Sequence, residues 1–231
     1  MTLRLPLLLA VLIPHFSAQP VEAADKKAEK GVTLRLLACE VSPEPAKVLL
    51  EAKGSKSEAI DLPSSGFSEP MAVAARSVAV MAPDNEVPLC SITLPAEGKS
   101  FAVLLAQEKP AGWVPFVVRL DDDSFKAGDY YFINRSPKTV VLKLGATELV
   151  LEAGAATKSR PTEPVHNHYY NITMSERGDS RDKPIASTRW PVENTTRGYI
   201  VFLTGPNGRT IYRSVDQSVD VEEPVGKKKK R

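Results

Sequence analysis

Cysteine, histidine and tryptophan are scarce in these 231 residues, which contain two, three and two of them respectively. Two cysteines exclude the disulfide-dense scaffolds that hold many small secreted domains together. His15 falls within the first 23 residues, so His166 and His168 are all that a histidine-dependent mechanism has to draw on beyond them. Enzyme motifs are missing too: there is no Gly-x-Ser-x-Gly elbow, no His-Glu-x-x-His, no phosphate loop and no dinucleotide fingerprint. Past residue 24 no apolar run approaches the roughly 20 residues that a membrane-spanning helix needs. No stretch has a convincing amphipathic helical period, and 69–75 holds at most a short turn. The net charge is +2, but Lys227, Lys228, Lys229, Lys230 and Arg231 supply +5 of it, leaving the rest at about −3. The body therefore offers no basic field for nucleic acid.

What is present begins with an export signal. Arg4, the apolar stretch Leu5 to Ile13 and the small-residue site Val21-Glu22-Ala23 predict a cleaved signal peptide over 1–23. A linker at 24–31 follows, and the product is expected to be periplasmic or extracellular. Leu36-Leu37-Ala38-Cys39 imitates a lipoprotein acylation site, but it follows the charged stretch Asp25 to Lys30 and reads as a strand.

Short β-branched and aromatic runs then recur from Val32 to Val215, broken by Pro and Gly turns roughly every 8 to 12 residues. That spacing predicts an all-β protein built of sandwiches. An internal duplication organises it. Pro88-Leu89-Cys90-Ser91-Ile92-Thr93-Leu94-Pro95-Ala96-Glu97 aligns without gaps on Pro184-Ile185-Ala186-Ser187-Thr188-Arg189-Trp190-Pro191-Val192-Glu193. Phe101, Val103 and Leu105 then meet Tyr199, Val201 and Leu203, while upstream Val48-Leu49-Leu50 meets Val140-Val141-Leu142. All matches keep one order at separations of 92 to 98 residues, as tandem copies require. The expected domains are 32–109 and 112–220, followed by a basic tail at 221–231 that is too polar to fold.

The same alignment sets Cys39 opposite Ile133 and Cys90 opposite Ala186. An apolar pair standing where the first copy has two thiols suggests facing core positions, and predicts a Cys39–Cys90 disulfide. Two buried free thiols are the alternative.

Few residues are candidates for chemistry. At strand period His166 and His168 share a face, which makes them half of a zinc or copper site if Glu163 or Glu176 completes it. Otherwise they end a strand whose inner face is Tyr170, Ile172 and Met174. Asp121, Asp122, Asp123, Ser124 and Asp129 offer oxygen ligands, but their spacing departs from an EF-hand loop and fits a solvated turn. Asn134, Asn171 and Asn194 head glycosylation sequons, which are signals only in a eukaryotic secretory host. The tail residues Lys227 to Arg231 can touch an anionic surface or serve as a solubilising end.

Tyr130-Tyr131-Phe132-Ile133-Asn134 running into Lys138-Thr139-Val140-Val141-Leu142-Lys143-Leu144-Gly145, with the duplicated Pro-x-x-Ser segments, resembles tandem transthyretin-like or immunoglobulin-like β-sandwich domains of exported bacterial envelope proteins. The Cys, Trp, Cys order of a true immunoglobulin domain is not supplied by Trp113 and Trp190. The resemblance brings no catalytic or cofactor-binding residue with it. The expectation is a non-enzymatic envelope protein, structural or presenting faces or loops to a protein or glycan partner; the alternative is a metal-binding protein using His166 and His168.

Overall fold

A computed structural model describes residues 31–108, 111–162 and 167–219. Among these the chain is all-β, with no helix. The strands of the first half are β1 (Thr33–Ala38), β2 (Lys47–Ala52), β3 (Ser55–Lys56), β4 (Ile60–Asp61), β5 (Met71–Ala72), β6 (Ser77–Met81), β7 (Pro88–Thr93), β8 (Ser100–Glu108) and β9 (Gly112–Arg119). Those of the second half are β10 (Tyr130–Asn134), β11 (Val140–Leu144), β12 (Thr147–Leu151), β13 (Ala156–Ser159), β14 (Tyr169–Glu176), β15 (Lys183–Pro191), β16 (Thr196–Thr204) and β17 (Thr210–Ser218).

They form four sheets, each with its own order: β3-β2-β6-β7 with β4 beside β2, then β5-β1-β8-β9, then β13-β10-β16-β17, then β12-β11-β14-β15. In each half the first strand runs parallel to the penultimate one, Leu34 beside Phe101 and Phe132 beside Ile200. The other pairings are antiparallel.

Three apolar cores lie between successive sheets, so the sheets stack four deep. Leu34, Leu36, Val48, Leu50, Phe101 and Val103 fill the first core. Phe132, Leu142, Ile172, Met174, Ile200 and Phe202 fill the third, with Trp190 stacked 5.0 Å from Tyr130 at its margin. The middle core joins the halves through Leu37, Leu104, Val118, Phe125, Ile133 and Tyr199. A strand covered on both faces must be apolar at every position. Hence β8 sends Phe101, Val103 and Leu105 into the first core and Ala102, Leu104 and Ala106 into the middle one. The outermost sheets keep one wet face: β14 alternates exposed Asn171 and Thr173 with buried Ile172 and Met174.

Strand β9 pairs along its whole length with β8, Phe101 opposite Arg119 through Glu108 opposite Gly112, although its sequence position suggests the second domain. The expected match of Phe101, Val103 and Leu105 to Tyr199, Val201 and Leu203 sets opposite faces against one another. The first three lie in the core inside their own half, while the last three lie in the middle core.

The expected disulfide is absent, and both cysteines are free. Cys39 belongs to the middle core, whereas Cys90 packs against the first, so the sheet that carries β1 separates them. Cys39 and Ile133 both belong to the middle core, whereas Cys90 packs against the first core and Ala186 against the third.

Candidate functional site

The expected signal peptide at 1–23, most of the expected 24–31 linker, Glu163, His166 and the expected tail at 221–231 lie outside the described residues. His168 is exposed and adopts a left-handed backbone, φ 65°, directly after Asn167 at 54°. Its carbonyl accepts a hydrogen bond from Val192 N at 2.7 Å. The strand β14 therefore starts one residue later, at Tyr169, and His168 belongs to a turn rather than to a strand face. Glu176 closes the far end of β14, roughly 25 Å away at strand rise, and its carboxylate accepts from Thr210 Oγ1 at 2.8 Å. No group of three or more potential metal ligands assembles among the described residues.

The acidic cluster proves to be a structural splice in the connector between β9 and β10. Asp121 accepts from Arg119 Nε at 2.9 Å and from Lys99 N at 2.7 Å. Asp122 accepts from Lys158 Nζ at 2.7 Å and from Ser124 N at 2.8 Å, and the Lys158 hydrogen bond holds its carboxyl well below the usual range. Asp129 accepts from Arg160 Nε at 2.7 Å and Lys126 N at 2.6 Å. Carboxylates held this way are tied to cations and turn amides rather than gathered around one point.

Arg197 completes the splice. Its Nη1 donates to the carbonyls of Leu120 and Phe125, both at 3.0 Å, and its guanidinium lies 4.9 Å over the Phe125 ring. Phe125 in turn meets Tyr131 and Tyr199 edge to face in the middle core. Gly128, with φ 86°, passes so near that a Cβ there would lie 2.9 Å from the Glu193 carbonyl.

Neither thiol is poised as a nucleophile: burial raises Cys39 to about 12 and Cys90 to about 11. At the other end of the middle core Glu108 and Arg135 form a tight ion pair, with Oε1 2.5 Å from the guanidinium. Beside it Glu40 Oε1 accepts from Gln107 N, while Glu40 Oε2 and Arg213 Nη1 are buried without a hydrogen-bond partner among the described residues. Burial raises the Glu40 carboxyl, with Arg213 opposing the shift. Neither residue stands out in the sequence, because each reads as an ordinary surface charge.

Of the sequons, Asn134 is fully buried, its amide donating to the carbonyls of Lys138, Leu151 and Glu152. Asn171 and Asn194 are exposed.

A shallow depression of about 420 Å³ lies on the solvent face of β14 and β15, lined by Asn171, Thr173, Ser187, Thr188 and Arg189 with Ile172. Cross-strand register places Asn171 opposite Arg189 and Thr173 opposite Ser187. Tyr169, exposed on the same face, and the Lys143–Glu148 pair at 3.5 Å extend it. An amide, three hydroxyls and a guanidinium around one depression can donate and accept hydrogen bonds with a hydrophilic partner. They include no activated nucleophile and no general base.

Compared with protein-family models and with curated proteins, the chain matches none.

Proposed function

We propose that the chain is an exported, non-enzymatic recognition protein of the bacterial envelope, made of two tandem copies of one transthyretin-like or immunoglobulin-like sandwich. The copies change over within 120–129, because the strand order of one half repeats in the other and β9 stays with β8. The partner is a glycan, received on the polar face of β14 and β15.

The depression bounded by Asn171, Thr173, Ser187 and Arg189 is the observation that carries this reading. Sugar hydroxyls need donors and acceptors in alternation, and Tyr169 adds an apolar ring surface beside them. In support, Asp121, Asp122 and Asp129 of the connector are already engaged in holding structure, and Cys39 is buried and Cys90 half-buried.

A panel of envelope polysaccharides titrated against the purified chain tests it. Saturable binding that the Asn171→Ala/Arg189→Ala double variant loses, with the melting temperature unchanged, is the expected result. Binding that survives the double variant, or no binding across the panel, overturns it. Cell fractionation tests export separately, with the protein expected outside the inner membrane and shorter than its precursor.

A further inference from the structure

Six residues join β14 to β15: Arg177-Gly178-Asp179-Ser180-Arg181-Asp182. Arg177 and Asp179 are exposed, as is every residue from Asp179 to Lys183. In the connector between the halves, a similar density of charge is consumed in ion pairs. Here the side chains of Arg177, Asp179, Arg181 and Asp182 make no hydrogen bond or ion pair with any described residue. The charges of this loop are displayed rather than spent.

The base of the loop is fixed. Glu176 is buried and holds Thr210 through both its hydroxyl and its amide, Arg177 N donates to Thr139 O at 2.9 Å, and Glu176 still pairs with Lys183 across the hairpin. Within the loop, a Cβ on Gly178 would stand 2.2 Å from the Arg181 carbonyl, so glycine alone permits the close turn. The guanidinium and the carboxylate are thus presented on either side of a residue with no side chain, at the end of a packed hairpin. Prior ordering of this kind lowers the entropy lost on binding.

These two groups ask for a specific pair of counterparts. An unpaired aspartate can supply one oxygen to a divalent cation that a partner holds with an open position. A free guanidinium fits a carboxylate through its planar fork. We propose that the 177–179 loop is the ligand of a metal-dependent cell-adhesion receptor that reads Arg-Gly-Asp, its cation taking Asp179 and an acidic pocket taking Arg177. The proposal rests on export, which alone brings the loop to such a receptor, but not on the glycan face.

The test is binding of the immobilised full chain to a purified integrin ectodomain in magnesium and manganese buffer. Expected are saturable binding, abolition by EDTA, competition by a soluble Gly-Arg-Gly-Asp-Ser peptide, and weakening by about tenfold or more in Asp179→Glu. That variant keeps the charge but displaces the carboxylate, and at an exposed site it leaves the fold intact. Arg177→Lys is expected to weaken binding as well, while Asn171→Ala/Arg189→Ala leaves it unchanged. No binding in either metal, or binding indifferent to EDTA or to Asp179→Glu, overturns the proposal. Glycan titration of Asp179→Glu is expected to match wild type, so failure of one reading is distinguishable from failure of the other.

Discussion

Arg197 does more for this molecule than its place in a strand suggests. One buried guanidinium satisfies two connector carbonyls and covers the ring of Phe125. Removing it leaves those carbonyls without their donor and uncovers an aromatic side chain, so Arg197→Ala is expected to lower unfolding free energy by about 3 kcal/mol in urea titrations. Nothing in the sequence marks Arg197, because its partners, 72 and 77 residues away, are set by the fold. The burial of Asn134 was not legible from its sequon, since a three-residue pattern carries no information about burial. The cysteines make the same point: the internal alignment set them as a facing pair but carried no information about which side of a doubly covered sheet each faces. Thiol titration of the unfolded, unreduced protein is expected to find two free thiols per chain, and the native protein is expected to react slowly at pH 8 because burial keeps both thiols protonated.

At the level of elements, period and run length were readable wherever they reflect burial. The run Val48-Leu49-Leu50 lies within β2, Lys47–Ala52, and the run Tyr130 to Asn134 coincides with β10, because apolar side chains and flanking turn residues bound both. Short polar strands were not readable: β3 is Ser55–Lys56 and β13 is Ala156–Ser159, and neither carries a pattern apart from its neighbour. Strands covered on both faces hide their parity. In β16 the run from Arg197 to Phe202 is buried throughout, so a period-two comparison with β8 fits either face equally well. The middle core has a direct consequence for stability. Leu104 is almost fully buried there, and Leu104→Ala is expected to cost about 2–5 kcal/mol by chemical denaturation, as in a true core rather than a domain contact. The polar depression and the loop beside it fell outside the reach of the sequence: the alternation showed that β14 has a wet side, but not that β15 lies beside it to form a depression.

The whole molecule is a stack in which each sheet leans on the next, and its ends show how charge is managed between halves. Glu40 belongs to the first half and Arg213 to the second, and burial raises the Glu40 carboxyl above its ordinary 4.5. The folded state therefore keeps a proton that the unfolded chain has already released. Stability from this group is full below about 4.5 and falls as pH rises through the folded value. Glu40→Gln is expected to melt no lower than wild type at pH 7, with the difference between them closing as the pH is lowered below that of the unfolded carboxyl; a variant markedly less stable at pH 7 would show that the charge stabilises the fold. With a continuous apolar middle core and a spliced connector, the halves are expected to unfold together and to present the polar face and the hairpin loop from one rigid body.

Differential scanning calorimetry of the purified chain, with Leu104→Ala beside it, addresses that claim most directly. One transition whose calorimetric and van't Hoff enthalpies agree, moved as a whole by Leu104→Ala, is the predicted result. Two separable transitions, or a substitution that shifts only one part of the melt, would contradict it and reduce the middle core to a contact between independent domains.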